Sequence, residues 1–234
     1  MITTVLFDLD GTLLPMDNDV FVKGYFKFLV KKLVPYGYDP QKLIDGIWAG
    51  TAEMVRNDGR ATNEQVFWEK FVSVFGEHSL DDKPIFEEFY KVDFQNAKSY
   101  CGFAPKAKDA VNAAKSRGFT VALATNPLFP KTATESRIRW AGFEPDDFAL
   151  FTTYEDSHYC KPNPAYYTEI TQRLGCSPEE CLMVGNDAYE DMIAEELGMK
   201  VFLLTDCLIN KTDKDLSSYP RGGFDELIGF IASM

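Results

Sequence analysis

From about residue 100 onward, short apolar runs alternate with helical stretches, and this alternation restricts the fold more than any other feature of the chain. Thr120–Thr125, Phe148–Thr153, Cys181–Val184 and Lys200–Thr205 are short and rich in Val, Leu, Phe or Thr, so they read as buried strands. The helical patterns around them begin at prolines and stop at glycines. Pro105–Arg117 ends before Gly118, Pro130–Trp140 before Gly142, Pro164–Leu174 before Gly175 and Ala188–Leu197 before Gly198. Strands separated by helices predict an α/β fold, a doubly wound parallel sheet covered on both faces.

One more strand, Val5–Leu9, stands alone at the N-terminal end. After it the pattern changes. From about Met16 to Ser99 only amphipathic helices are legible: Val20–Leu33, Pro40–Val55, Asn63–Phe75 and Lys83–Phe94, broken at "PYGYDP" and "NDGRAT". The predicted organisation is therefore a core domain formed by residues 1–15 and 100–234, interrupted by a helical domain of residues 16–99. Trp48, Trp68 and the many phenylalanines of this insert are expected in its own core.

Composition excludes several function classes. The net charge of −12 disfavours a nucleic-acid binder, whose footprint is a basic patch. An anionic substrate then needs local positive charge from a lysine, a helix N-terminus or a metal. The five cysteines form no CxxC pair, which argues against a disulfide framework or a zinc site and for a reducing cytoplasm. No basic segment followed by an apolar stretch precedes the first strand, so no signal peptide is expected. No apolar run reaches the ~18 residues of a membrane span.

In an open α/β sheet, ligands bind beyond the carboxyl ends of the strands. "VLFDLDGTLL" delivers Asp8 and Asp10 there. The strand ending at Thr125 delivers Thr125 and Asn126, "HYCKPNP" offers Lys161, and "VGNDAYEDM" brings Asp187 with Asp191 four residues on. Carboxylates gathered without a counter-charge would raise their pKa values and take up protons. A divalent cation removes that difficulty. Oxygen ligands without His or Cys suit Mg²⁺, which usually takes one or two carboxylates, waters and substrate phosphate. The set points to phosphoryl chemistry.

These stretches resemble the haloacid dehalogenase superfamily, in its phosphatase branch. "FDLDGTLL" resembles the first motif of that family, "ALATNP" the second, Lys161 in "CKPNP" the third and "VGNDAYEDM" the acidic fourth, all in family order. The helical insert resembles a C1-type cap in its placement. The resemblance implies a Rossmann-like core in which Asp8 is the nucleophile and Asp10 the general acid and base. It implies Thr125, Asn126 and Lys161 as phosphoryl-binding groups, with Thr125 and Lys161 counted as catalytic. It implies Mg²⁺ held by Asp8, Asp10, Asp187 and Asp191, with Asp187 direct, Asp191 supporting and Glu190 the alternative in a different register. The expected partner is a small phosphorylated metabolite, not nucleic acid or a membrane. A phosphomutase of the same fold, or a non-enzymatic regulatory protein that retains it, are the rival readings.

Overall fold

The computed structural model describes residues 1–234. Five parallel strands form one sheet: β1 (Thr4–Phe7), β2 (Thr120–Leu123), β3 (Cys181–Gly185), β4 (Lys200–Leu204) and the short β5 (Arg221–Gly222). Their order is β2-β1-β3-β4-β5. The chain therefore leaves β1 toward one side and later returns to its other side, so β1 stands at the point where the winding reverses. A crevice opens at such a point in a doubly wound sheet. Register aligns the strand ends there, with Phe7 opposite both Leu123 and Val184.

Side chains alternate across the sheet with the period of two that strands impose. Val5, Phe7, Val121, Leu123, Leu182 and Val184 join one core, with α5 (Pro105–Ser116) and α8 (Phe224–Ala232). Leu6, Ala122, Ala124, Met183 and Leu203 face the other side, against Tyr166, Tyr167 and Ile170 of α7 (Pro164–Leu174). Both faces are covered, as the alternation of strands and helices predicts.

The insert holds α1 (Asn18–Leu33), α2 (Pro40–Val55), α3 (Asn63–Phe75) and α4 (Lys83–Lys91), followed by a 3₁₀ stretch, Asp93–Tyr100. Asp17, Asp39 and Thr62 cap the first three helices by accepting from backbone N–H groups of the first turn. Stacked aromatics fill the interior: Phe71 lies 4.5 Å from Phe75, 5.7 Å from Phe67 and 5.5 Å from Phe86, ring centre to ring centre. Gly50 on α2 is required by this packing, because the Phe67 ring occupies the place a side-chain carbon would take. Trp48 departs from expectation: it is 50% exposed, although its ring lies 5.6 Å from that of Phe26.

Two joints tie the insert to the sheet. Met16 pairs with Cys101 in an antiparallel bridge, and the Gly102 N–H donates to the Pro15 carbonyl at 2.7 Å. Farther out, Asn63 docks α3 on the loop after β2. Its backbone N–H donates to Ser157 O at 2.8 Å, and its side-chain amide lies 3.3 Å from Tyr159 O and 3.4 Å from Pro127 O.

Two predicted elements take other forms. Phe148–Thr153 runs parallel along the outer edge of β2 as a short irregular strand: Phe151 bridges Leu123, and Ala149, Leu150 and Thr152 exchange backbone hydrogen bonds with Val121 and Leu123. A proline turn at Pro145–Asp147 and a turn from Thr153 to Asp156 bound it. Ala188–Leu197 is a 3₁₀ helix over Met192–Leu197 rather than an α-helix. The Ala188, Tyr189 and Glu190 N–H groups go instead to Ile209 O and to the Asp187 carboxylate. No helix is long and apolar enough to cross a membrane.

Candidate active site

The backbone N–H of Asp8 donates to Val184 O at 2.8 Å, so β1 pairing persists up to the first aspartate. The chain then turns at Gly11, whose φ of 80° lies in the left-handed region. A side chain at that position would run into the Asn186 amide. The turn keeps Asp8 and Asp10 at one edge.

Lys161 reaches the same edge from the loop after Phe151. Its ammonium is buried and donates to Asp8 at 2.8 Å and to Asp191 at 2.6 Å. Burial disfavours the lysine charge, but Asp191 and Asp8 more than offset this and hold its pKa well above the ordinary lysine value. Burial pushes Asp8 up, against the pull of Lys161. Asp191 is pushed up to about 6 by the same burial, again against Lys161. The other Asp191 oxygen accepts from the Asp187 N–H at 2.9 Å, so this residue also fixes the start of the fourth acidic segment.

Asp10 faces elsewhere. One of its oxygens pairs with the Arg137 guanidinium from α6 (Lys131–Trp140), and the other is buried without a hydrogen-bond partner. Burial raises the Asp10 pKa, while Arg137 and Lys161 oppose the rise. The Arg137 guanidinium also stacks on the Phe129 ring at 4.5 Å.

The second and third motifs interlock. Asn126 accepts from the Lys161 N–H at 3.2 Å and donates to Glu190 at 3.1 Å. Glu190 is pushed up to about 7, first by burial and with Asp191 and Asp187 adding to it. The Thr125 carbonyl accepts from Thr152 and Tyr166 hydroxyls at 2.5 and 2.8 Å, which fixes the strand end. No hydrogen bond within the protein uses the Thr125 hydroxyl.

The four aspartates therefore share one edge without forming the four-carboxylate cage that the sequence suggests. No three acidic, histidine or cysteine side chains are grouped so as to hold a metal by themselves. The reason is pairing: Lys161 takes Asp8 and Asp191, and Arg137 takes Asp10. What remains uncommitted is an oxygen of Asp10 and the second oxygen of Asp187, whose first accepts from Tyr189 and Glu190 N–H groups.

Sequence reasoning missed two residues of this edge. The Thr12 hydroxyl lies 3.2 Å from Asp8 and 2.9 Å from Asn186. Its place right after the Asp-Gly pair was the available signal. Arg137 had none: it is fully buried, while Arg139 on the same helix is exposed, and the string "SRIRW" does not separate them.

Comparison with known proteins identifies the family. A family model described as "haloacid dehalogenase-like hydrolase" matches residues 2–196. The chain is 26% identical over 231 residues to the glyceraldehyde 3-phosphate phosphatase of Methanothermobacter thermautotrophicus, covering 96% of this chain and 94% of that one. It is 24% identical to the phosphoglycolate phosphatase of Aquifex aeolicus, over 85% and 83% of the two chains. Among solved structures, a 2-haloacid dehalogenase from Pseudomonas syringae superposes with a TM-score of 0.65 at 18% identity, over 100% of this chain and 99% of that one, which shows a shared fold.

Proposed function

Because this chain belongs to the haloacid dehalogenase-like hydrolase family, we propose that it is a phosphatase that hydrolyses a small phosphorylated metabolite through a phosphorylated Asp8. The observation that carries this reading is the buried Lys161 ammonium, held between Asp8 and Asp191. It aims one Asp8 oxygen away from the lysine and places positive charge where phosphoryl charge develops. The phosphatase names of two relatives aligned along most of their length support the same reaction class.

In the first half of the reaction, Asp8 attacks phosphorus. A bond forms between phosphorus and the Asp8 oxygen that meets Thr12 rather than Lys161, the ester P–O bond breaks, and the departing alcohol oxygen takes a proton from Asp10. In the second half, Asp10 takes a proton from water as the water oxygen attacks phosphorus. The Asp8–phosphorus bond breaks and inorganic phosphate leaves. Burial favours the protonated form of Asp10 needed at the start, and Arg137 favours the carboxylate needed next. The Thr125 hydroxyl is free to bind a phosphoryl oxygen, and Asn126, engaged with Lys161 and Glu190, stands beside it.

Mg²⁺ fits this edge. The donors are all oxygens, and Asp187 keeps one carboxylate oxygen uncommitted. The Asp8 carboxylate, the Asp10 main-chain carbonyl and Asp187 would hold the ion, which leaves the Asp10 carboxyl, with one buried oxygen free of partners, for proton transfer. Asp191, with both oxygens engaged, would position Lys161 and the Asp187 main chain instead. Bound there, the ion polarises the phosphoryl oxygens as a Lewis acid.

Residues 16–99 act as a lid over this edge in the same reading, turning on the paired joints at Pro15–Met16 and Cys101–Gly102.

The test is steady-state hydrolysis of a chromogenic phosphate ester. Asp8→Asn should lower turnover by at least about 10⁴-fold, and EDTA should abolish wild-type activity until Mg²⁺ is restored. Wild-type turnover by the Asn variant would overturn the reading.

A further inference from the structure

The Arg137 guanidinium is fastened at each of its nitrogens. Nε donates to Ala133 O at 3.4 Å, and one terminal nitrogen donates to the Thr134 hydroxyl at 3.1 Å. The other terminal nitrogen pairs with a single Asp10 oxygen, Oδ2. Ala133 and Thr134 lie four and three residues before Arg137 on α6, so the helix supplies the mount for its own side chain. The Phe129 ring covers the guanidinium at 4.5 Å. Phe129 also lines a cavity of about 410 Å³ between the insert and residues 128–132, with Trp48 in its wall. Phe129 and Arg137 thus stand between that cavity and Asp10.

The chemistry of the pair decides where a proton can sit. A guanidinium carries donors and no acceptor. The oxygen that faces it must therefore present a lone pair whether Asp10 is ionised or not. When Asp10 is a carboxylic acid, its proton belongs on the other oxygen, Oδ1. That atom is buried and has no hydrogen-bond partner in the protein.

Resting on the phosphatase reading above, we infer that Arg137 is a positioning residue for proton transfer: by engaging Oδ2 it confines the transferable proton of Asp10 to Oδ1. When the ester is cleaved, the Oδ1–H bond breaks, the proton passes to the leaving alcohol oxygen, and the electron pair stays on the carboxylate that Arg137 holds. When water attacks the phosphorylated Asp8, Oδ1 takes a proton back. Arg137 itself exchanges no proton. Without it, either Asp10 oxygen can carry the hydrogen, and the carboxyl is free to turn about its soft terminal torsion. A share of the molecules would then offer the leaving oxygen a lone pair instead of a proton.

The experiment compares two esters that differ in their need for a proton. Ethyl phosphate expels an alkoxide unless its oxygen is protonated, whereas the phenolate of 4-nitrophenyl phosphate leaves without help. The readout is kcat/KM, which covers the steps up to release of the alcohol and omits the later hydrolysis at Asp8. With Mg²⁺-loaded protein, Arg137→Met should lower kcat/KM by about 10²-fold or more for ethyl phosphate and by about tenfold or less for 4-nitrophenyl phosphate. In an Asp10→Asn background the same substitution should cost ethyl phosphate only about a further threefold or less, because Arg137 acts through Asp10. Arg137→Gln, whose amide accepts as well as donates, carries the same comparison if the Met variant does not fold. Equal losses on the two esters, or an undiminished loss in the Asp10→Asn background, would overturn the inference and make Arg137 a support of the fold alone. If Asp10→Asn by itself loses ethyl phosphate selectively, the phosphatase reading survives that outcome. If Asp10→Asn lowers both esters equally, Asp10 is not the acid and the two fall together.

Discussion

At the strand ends, the side chains removed from water include Asp8, Arg137, Lys161 and Asp191, whereas between residues 16 and 99 no charged side chain is buried. The two regions are held together by different forces. A buried charge must find a partner of opposite sign at hydrogen-bond distance, or it destabilises the fold severely. A buried ring needs only neighbours of suitable volume and edge. The sheet edge is therefore held by a few interactions that tolerate no substitution, and the insert by many that tolerate several.

The sharpest way to break this contrast is Lys161→Met. Removing the ammonium leaves Asp8 and Asp191 buried as unpaired acids, so stability should fall by about 3–5 kcal/mol and turnover by at least about 10²-fold. Urea unfolding measures the first and steady-state kinetics the second. A second change, Asp191→Asn, should recover part of the stability without recovering activity. A loss under about 1 kcal/mol for the single variant would mean that the edge is not held by charge.

Asn63→Ala tests the contact where the two regions meet. It removes the amide that reaches Tyr159 O and Pro127 O, at an expected cost of about 1–3 kcal/mol. Hydrogen exchange should quicken at residues 153–161 and at the joints near residues 15–19 and 97–105. If orthovanadate leaves exchange at both joints unchanged in the wild type, the insert does not move as a lid.

Phe71→Leu, within the insert, should show the smallest effect. The loss of ring contacts should cost about 1–2 kcal/mol in stability, with kcat for ethyl phosphate unchanged. A fall in kcat comparable to that of Lys161→Met would show that the insert shapes the reacting groups directly.

The same contrast explains what could be read from the sequence. The placement of Asp8, Asp10, Lys161 and Asp187 at one edge was legible because each follows an apolar run, and a parallel sheet puts its strand ends side by side. Arg137 was illegible because its role depends on which face of α6 meets Phe129 and Asp10, a matter of tertiary packing. The edge segment at Phe151 shows the limit of pattern reading: Phe148–Thr153 has the apolar residues of a strand and hydrogen-bonds to β2, but between its flanking turns it forms only a single regular bridge. Trp48 shows another limit, since a tryptophan in an amphipathic helix carries no sign of whether it faces a packed core or a cavity mouth. Substrate choice was not legible at all, because no motif marks the side chains that would meet the organic group.

The meeting of Met16 with Cys101 and of Pro15 with Gly102 has an architectural consequence. The excursion begins and ends at a single point, so the polypeptide between those residues is attached like a handle rather than woven through the sheet. A foreign helical bundle whose ends lie equally close together could replace it and leave β1 and α5 where they are. Exchange of this module thus asks directly whether ester preference travels with the handle, on a sheet that stays unaltered.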